Sequence, residues 1–227
     1  MRRPKTVFCD IDGTLVRHSP PAKVTDPNCK MELLPETLDA ISEWDRRGYN
    51  IVLTTGRKES LRSTTEKQLS DVGIFYDKLV MGVGGGDRIL INDNKEDGRQ
   101  SCWAVNPPRD TGLAGICFHN LSAISMKYFK SITEKNINTI EKILDNDVVL
   151  TDWDGEHTGI SEVVKTMRIM LDTLPDLNIE VLSLTRSGNK VFAQIMVHTG
   201  SSSVPVVDVL EFTKLGKIKS VTAYRGN

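Results

Sequence analysis

Two hydrophobic patterns divide the sequence, and they predict two different kinds of fold. In the first half, short apolar runs alternate with stretches whose apolar residues recur every three to four positions, which predicts strands alternating with helices. These runs and stretches occupy, in chain order, residues 5–9, 35–47, 49–54, 59–72, 78–81 and 88–91. Single strands separated by single helices are typical of an α/β domain with a parallel sheet.

After about residue 118 the order of the patterns changes. Helical stretches and one short strand come first, at residues 121–132, 139–144, 148–151 and 161–174. Four strand patterns follow, at residues 178–186, 190–198, 204–212 and 218–224. Helices followed by an antiparallel meander are typical of an α+β domain. The sequence therefore predicts two domains, residues 1–118 and 119–227.

Composition narrows the class of protein. The 227 residues carry a formal net charge of -1 and four scattered cysteines without a C-x-x-C pair. Acidic and basic residues are interspersed, so the sequence has no basic stretch of the kind that binds nucleic acid. No apolar stretch is long enough to span a bilayer. Scattered cysteines are typical of reduced thiols, so we expect a cytoplasmic protein that binds neither nucleic acid nor membrane.

Polar residues follow the predicted parallel strands where those strands end. Asp10 and Asp12 follow the first strand, Thr55 follows the second, and Asn92-Asp93 follows the fourth. Ligands of open α/β sheets bind at the carboxyl ends of the strands, so these side chains predict a site there. Carboxylates suit Mg²⁺, which accepts oxygen ligands and leaves room for a phosphate. The simpler interpretation is that D-x-D-G only forms a turn after a strand.

The motifs D-x-D-G-T, T-G-R and the later N-D pair resemble those of the haloacid dehalogenase (HAD) superfamily of phosphatases. The resemblance covers about residues 5–115. It implies a Rossmann-like parallel sheet and hydrolysis of phosphomonoesters. Neither the stretch between the first two strands nor the one before the third is long enough for an inserted cap domain, so we expect a capless site.

The resemblance also assigns roles to residues. Asp10 would be the nucleophile that forms an aspartyl-phosphate, and Asp12 would protonate the leaving oxygen and later activate water. Thr55 would hydrogen-bond the phosphate. The resemblance implies Mg²⁺ as the cofactor, held by Asp10, Asp12 and Asp93, with Asn92 as a further ligand.

One residue of the family pattern is missing. The family has a lysine in the loop before the last acidic pair, whereas the Gly-rich loop here has Val83 at the expected position. Lys78 or Arg88, which flank this loop, would then supply the cation that a phosphoryl group requires. If neither does, the domain is a catalytically silent module for binding or assembly.

The second half resembles the cone-shaped, NTF2-like α+β fold shared by nuclear transport factor 2, SnoaL-type polyketide cyclases and ketosteroid isomerases. The residues that carry this resemblance are Lys127-Tyr128-Phe129, residues 148–152, Gly159, residues 207–212, Gly216-Lys217-Ile218 and Ala223-Tyr224. The fold hosts many proteins that are not enzymes, so the resemblance implies a pocket domain rather than one activity.

Three residues make a second site conceivable. Tyr128 lies on the apolar face of its predicted helix, Asp208 shares a strand face with apolar residues, and Asp152 follows a strand at a turn. They match the isomerase pattern of one tyrosine and two aspartates, and an acid on an apolar wall should have a raised pKa. Alternatively, Tyr128 is a core residue, Asp152 braces its turn, and the domain binds a ligand or dimerises.

The first hypothesis is therefore a Mg²⁺-dependent phosphomonoester hydrolase with an accessory pocket domain. Its substrates would be small phosphorylated molecules, including phosphosugars. The alternatives are a silent binding module and an isomerase or cyclase in the second domain. We expect a homodimer through the second domain, because one face of its sheet packs on the 121–132 helix and the other face needs cover.

Overall fold

The computed structural model describes residues 4–96, 101–200 and 202–226. The described residues divide into two compact units. The first unit contains the chain up to Ile89 together with Asn106–Ala114, and the second contains Leu90–Val105 and the chain from Gly115 onward. The domain boundary at residue 118 stays a prediction.

The first unit contains a parallel sheet, as the alternating pattern predicts. Its elements are β1 (Thr6–Asp10), α1 (Pro21–Thr25), α2 (Thr37–Arg46), β2 (Asn50–Thr54), a 3-10 turn (Glu59–Leu61), α3 (Arg62–Asp71) and β3 (Lys78–Val80). The three strands are parallel in the order β1-β2-β3. The prediction of a parallel α/β sheet is confirmed, and α1 is a short helix within a segment whose sequence predicts only a loop.

The core of the first unit explains why α2 and β2 form where they do. Ile41 and Trp44 of α2, with Ile51 and Leu53 of β2, are almost wholly buried. Each such side chain stabilises the fold by about 2 kcal/mol, because its apolar surface is removed from contact with water. Gly48, between the helix and the strand, has a φ of 66°, a backbone conformation that other residues adopt at a cost.

The prediction of a fourth parallel strand at residues 88–91 is wrong. These residues belong to no strand, and the sheet of the described residues has three. The side chains of Ile89 and Ile91 are 86% and 90% exposed. A β-branched run has the local preference for a strand, but a strand forms only where its backbone groups pair with a neighbour and its side chains are covered.

The second unit is an α+β fold with one mixed sheet. Its elements are α4 (Leu121–Thr133), α5 (Ile137–Ile143), β4 (Leu144–Thr151), β5 (Glu156–Thr158), α6 (Ile160–Thr173), β6 (Asn178–Ser187), β7 (Lys190–Thr199), β8 (Ser202–Phe212) and β9 (Ile218–Arg225). The sheet order is β5-β4-β9-β8-β7-β6. Neighbours from β6 to β9 are antiparallel, as predicted, whereas β4 pairs with β9 in parallel, which the sequence pattern did not indicate.

The core of the second unit lies between the helices and one face of this sheet. Phe129 and Ile132 of α4 pack with alternate residues of the strands, such as Leu210 and Phe212 of β8. The Asn120 side chain caps α4 by accepting a hydrogen bond from the Ala123 amide at 3.1 Å. The predicted α+β architecture is therefore confirmed.

Two further expectations concern the environment of the protein. None of the four cysteines, all of which lie in described residues, forms a disulfide; Cys9 and Cys117 are buried, and Cys29 and Cys102 are partly exposed. Among the described residues, no helix combines the length and the apolar character needed to cross a bilayer.

Candidate functional site

The carboxyl ends of β1 and β2 bring the first group of candidate residues together. Asp10 is the last residue of β1 and pairs in register with Thr54. The chain then turns at Gly13, whose φ is 91° and whose amide donates to the Val16 carbonyl at 2.7 Å. This turn places Asp12 beside the end of β2, where the Thr55 hydroxyl donates to Asp12 Oδ2 at 3.3 Å.

Asp10 has a cation beside it. Arg88 Nη2 donates to Asp10 Oδ1 at 2.9 Å, and the Thr14 hydroxyl lies 3.4 Å from Oδ2. The side chains of Arg88 and Asp10 are 47% and 27% exposed, so the pair contributes little to stability and is open to a ligand. Lys78, the other candidate cation, stands at the first residue of β3, at the end of the strand away from this edge of the sheet.

Asp12 is held by an arginine for which the sequence suggested no role. Arg57 Nη2 donates to Asp12 Oδ1 at 2.6 Å, and Arg57 Nε donates to Oδ2 at 2.9 Å. The Arg57 side chain is 5% exposed. Arg57 was visible in the sequence only as the third residue of T-G-R, and nothing in its spacing indicated that it would face Asp12.

A second arginine unnoticed in the sequence lies against the turn. A Cβ built on Gly13 would come within 3.1 Å of the Arg109 side chain, so this position has little room for any side chain. The neighbouring Asp110 amide donates to the Gly13 carbonyl at 2.9 Å, and its carboxylate accepts from the His18 amide at 2.7 Å. The segment 106–114 thus braces the turn that carries Asp12.

The described residues do not by themselves assemble a magnesium site. The Asp12 carboxylate is occupied by Arg57 and one Asp10 oxygen by Arg88. Asn92 and Asp93 belong to the second unit, where the Asn92 side chain lies near Asp93 at 3.4 Å. No cluster of three or more potential ligands, counting His, Cys, Asp and Glu, occurs in the parts of the chain that are described. The predicted metal site stays a prediction.

Cys9 is adjacent to Asp10, and its thiol is buried. Burial, and then the charge of Asp10, raises the pKa of the Cys9 thiol to about 12. The thiol is therefore protonated at neutral pH, and only the thiolate is strongly nucleophilic.

The second group of candidates lies in the core of the second unit. Asp208 is 7% exposed and sits on the buried face of β8, between Ala193 of β7 and Ala223 of β9. Burial, and then the charge of Asp152, raises the pKa of Asp208 to about 7. Tyr128 is buried on α4, and burial, Asp208 and Asp152 together raise the pKa of its hydroxyl.

Asp152 has a structural task at the turn after β4. Its Oδ1 accepts hydrogen bonds from the amides of Asp154 at 2.8 Å and Gly155 at 3.1 Å. These bonds close the turn that joins β4 to β5, which is the bracing role considered from the sequence. The charge of Asp152 nevertheless acts on both Tyr128 and Asp208.

Comparison with known proteins finds one family model that matches part of each unit. Residues 7–80 match the model of the haloacid dehalogenase-like hydrolases, which covers β1 to β3. Residues 126–221 match the model of the SnoaL-like domain. No curated protein matches the chain.

Solved structures similar to the second unit have low sequence identity to it. An NTF2-like protein from Cytophaga hutchinsonii is 15% identical, with 47% of this chain and 90% of that one covered at a TM-score of 0.42. A SnoaL-like protein from Burkholderia thailandensis is 14% identical, with 50% and 99% covered at 0.45. A protein with a ketosteroid isomerase-like fold from Catenulispora acidiphila, solved with trimethylamine, is 19% identical, with 44% and 83% covered at 0.40.

The two family matches and the two folds agree with each other. The D-x-D-G-T turn lies at the end of a parallel strand, and the mixed sheet packs against the α4 helix. Residues 7–80 are therefore similar to haloacid dehalogenase-like hydrolases, and residues 126–221 are similar to SnoaL-like domains.

Proposed function

We propose that the first unit hydrolyses phosphomonoesters of small molecules through an aspartyl-phosphate on Asp10. The observation that carries this proposal is the Arg88 guanidinium 2.9 Å from the Asp10 carboxylate. A transferring phosphoryl group develops charge on its oxygens and requires positive charge beside the nucleophile. Arg88 supplies that charge although Val83 occupies the place of the family lysine.

The arrangement supports a two-step reaction. In the first step Asp10 forms a bond to phosphorus, the ester P–O bond breaks, and the leaving oxygen takes a proton from Asp12. In the second step the deprotonated Asp12 takes a proton from water as the water oxygen bonds to phosphorus; the bond from Asp10 to phosphorus breaks, inorganic phosphate leaves, and the Asp10 carboxylate and the Asp12 acid are regenerated. Thr14 and Thr55, whose hydroxyls donate to Asp10 and Asp12 in the structure, would turn to donate to phosphoryl oxygens.

Asp12 must change its contacts to play this part. Both of its oxygens accept hydrogen bonds from Arg57, so proton transfer requires the carboxylate to turn away from one Arg57 nitrogen. The orientation of Arg57 therefore bears on the rate of the proposed reaction.

A phosphate-release assay tests the proposal. The purified chain would be incubated with p-nitrophenyl phosphate and with a panel of phosphosugars and other small phosphomonoesters, with Mg²⁺ and with a chelator. We expect release that depends on Asp10, and Mg²⁺ dependence would support the predicted metal. No release from any substrate under either condition would instead favour the silent binding module.

A second candidate function belongs to the second unit, and Asp208 favours it. A carboxyl group buried between two alanines, with a tyrosine hydroxyl in the same core, is suited to hold or move a proton on a bound apolar ligand. We propose ligand binding at this position, with an isomerase or cyclase reaction as its catalytic form. Quenching of tryptophan fluorescence by a panel of small ketones and enol ethers, lost in Asp208→Leu, would support it; no binding by the panel would contradict it.

A further inference from the structure

The side chain of Gln68 connects two parts of the first unit. Gln68 lies on α3 and is 2% exposed. Its Nε2 donates to the backbone carbonyl of Asp26 at 2.7 Å and to that of Lys23 at 3.2 Å. Its Oε1 accepts from Arg57 Nη1 at 2.8 Å. The side-chain amide thus uses both its donor and its acceptor ends.

Arg57 continues the connection to Asp12. Its other two nitrogens donate to the two oxygens of the Asp12 carboxylate, and its Nη1 lies 3.5 Å from the Thr65 hydroxyl. Hydrogen bonds therefore run without a gap from two backbone carbonyls, through Gln68 and Arg57, to Asp12. Because Gln68 and Arg57 are buried, a broken link would leave polar groups unsatisfied, so these links should form or break together.

The segment at the other end is held at its start, where Arg17 pairs with Glu32 and the His18 amide donates to Asp110, but less so around α1. Residues 17–30 include the five-residue helix α1, and no residue of α1 is buried. Apolar packing therefore contributes little to the position of this segment. The two hydrogen bonds from Gln68 fix the carbonyls at Lys23 and Asp26, on either side of the end of α1.

We propose that Gln68 is a positioning residue for Asp12, and that it sets the orientation of the Asp12 carboxylate together with the position of residues 17–30. This inference rests on the proposed hydrolysis, in which Asp12 protonates the leaving oxygen. It assigns no contact between Gln68 and the substrate. The consequence is that a displacement of residues 17–30 should change the orientation of the Asp12 carboxylate, and the reverse.

The choice of leaving group separates this role from a general loss of structure. An alkyl alcohol is a poor leaving group that requires protonation, whereas p-nitrophenolate leaves readily without it. A misplaced Asp12 should therefore slow the hydrolysis of glycerol 2-phosphate far more than that of p-nitrophenyl phosphate. A destabilised or partly unfolded site would slow both to the same degree.

Gln68→Glu is the informative variant, because it keeps an acceptor for Arg57 and removes the donors to the two carbonyls. We expect kcat/KM for glycerol 2-phosphate to fall about tenfold or more, with kcat/KM for p-nitrophenyl phosphate within about twofold of the wild type. Gln68→Met keeps the approximate shape of the side chain but removes both the amide donor and the carbonyl acceptor, and it should behave in the same way. Ser70→Ala, an exposed position on the same helix, is the control and should change neither value.

A second measurement does not depend on activity. Lys23 and Lys30 are exposed in the segment, so a lysine-specific protease can report its mobility, with mass spectrometry to identify the cut positions. We expect faster cleavage at these two lysines in Gln68→Glu and, at the far end of the connection, in Asp12→Asn. Ser70→Ala should be cleaved like the wild type.

The outcomes distinguish the two proposals. Equal losses on both substrates in Gln68→Glu and Gln68→Met, or an Asp12→Asn segment as resistant as the wild type, would overturn the positioning role of Gln68. A wild type that hydrolyses neither substrate would overturn the proposed function, and the protease measurement would still decide whether Asp12 and the segment are connected.

Discussion

At the scale of single residues, the proposed chemistry depends on carboxylates in unlike surroundings. Asp10 is partly exposed beside Arg88, Asp12 is clamped by a buried arginine, and Asp208 is buried between alanines. Surroundings rather than residue type set what each can do: attack, transfer a proton, or remain neutral. Three predictions follow these differences.

Asp10→Asn should lower phosphate release at least about a hundredfold, because an amide oxygen is a poor nucleophile and cannot form an aspartyl-phosphate. Release would be measured at steady state with p-nitrophenyl phosphate. Asp39→Asn, the same change at an exposed position of α2, should retain wild-type turnover. Full turnover in Asp10→Asn would remove Asp10 from the mechanism.

Arg88→Ala should lower kcat/KM about a hundredfold, because the charge beside the nucleophile is lost. Arg88→Lys should recover part of the loss, since a lysine restores the charge but not the planar fork. Lys78→Ala is the comparison, and it should leave kcat/KM unchanged because Lys78 lies at the start of β3. Equal kcat/KM in Arg88→Ala and the wild type would show that the site works without this charge.

Asp208 should make the second unit less stable as the pH rises. Its pKa is raised to about 7, by burial first and then by Asp152, whereas in the unfolded chain it titrates near 3.8. Between these values the unfolded state loses a proton that the folded state keeps, so the free energy of unfolding falls with increasing pH by up to roughly 4 kcal/mol. Below about pH 3.8 the Asp208 carboxyl is protonated in both states, so it does not lower the free energy of unfolding.

The comparison of wild type with Asp208→Asn measures this effect. Urea unfolding of both proteins at pH 4, 5.5 and 7 should show a difference that grows with pH, and carbon NMR should place the titration of the Asp208 carboxyl near neutral pH. Asp208→Asn keeps a neutral polar group and should fold well, whereas Asp208→Leu removes the group. A difference that does not vary with pH, or a titration near pH 4, would contradict the prediction.

At the scale of elements, the hydrophobic pattern correctly predicted the α2 helix. It failed for the 88–91 run, where a strand forms only if a neighbouring strand is available to pair with it. Ile41 and Trp44 repeat at helical spacing, and the α2 helix forms. The 88–91 run has equally strong strand preference, but no strand pairs with it in the structure. Arg57 shows the same limit within the site, because its contact with Asp12 joins the ends of two strands that the sequence separates by 45 positions. By contrast, the ends of the predicted strands were enough to indicate that Asp10, Asp12 and Thr55 lie at the same edge of the sheet.

The cap of α5 gives a test at this scale. The exposed Asn136 side chain accepts a hydrogen bond from the Thr139 amide at 3.1 Å. Asn136→Ala should lower the free energy of unfolding of the second unit by about 1 kcal/mol, because a helix amide loses its partner. Asn138→Ala, at the exposed second residue of the same helix, should lower it much less. Urea unfolding measures both, and equal effects would show that the cap contributes nothing.

At the scale of the whole molecule, one face of the second sheet carries apolar side chains in the isolated chain. Phe192, Val207 and Tyr224 are 40%, 41% and 59% exposed, and Val207 pairs in register with Tyr224. Charges of both signs border them, since Glu211 lies within 3.5 Å of Lys190 and Lys219. Such a face can complement a second copy of itself across a two-fold axis.

We therefore predict a homodimer through this face. Light scattering at micromolar concentration should give twice the monomer mass, and Val207→Glu should give the monomer mass because it places a charge among the apolar side chains. Lys214→Glu, a charge change at an exposed position of the β8–β9 turn, is the control and should remain a dimer. A monomeric wild type would contradict the prediction.

The unequal burial of the four thiols has a practical consequence for spectroscopy. Cys9 and Cys117 are buried, whereas the partly exposed Cys29 and Cys102 belong to the first and the second unit, respectively. Since maleimide dyes react with accessible thiolates, they should attach to these two and spare the others. The native sequence thus carries one labelling point per unit, so that each unit can be given a fluorescent dye without an engineered cysteine.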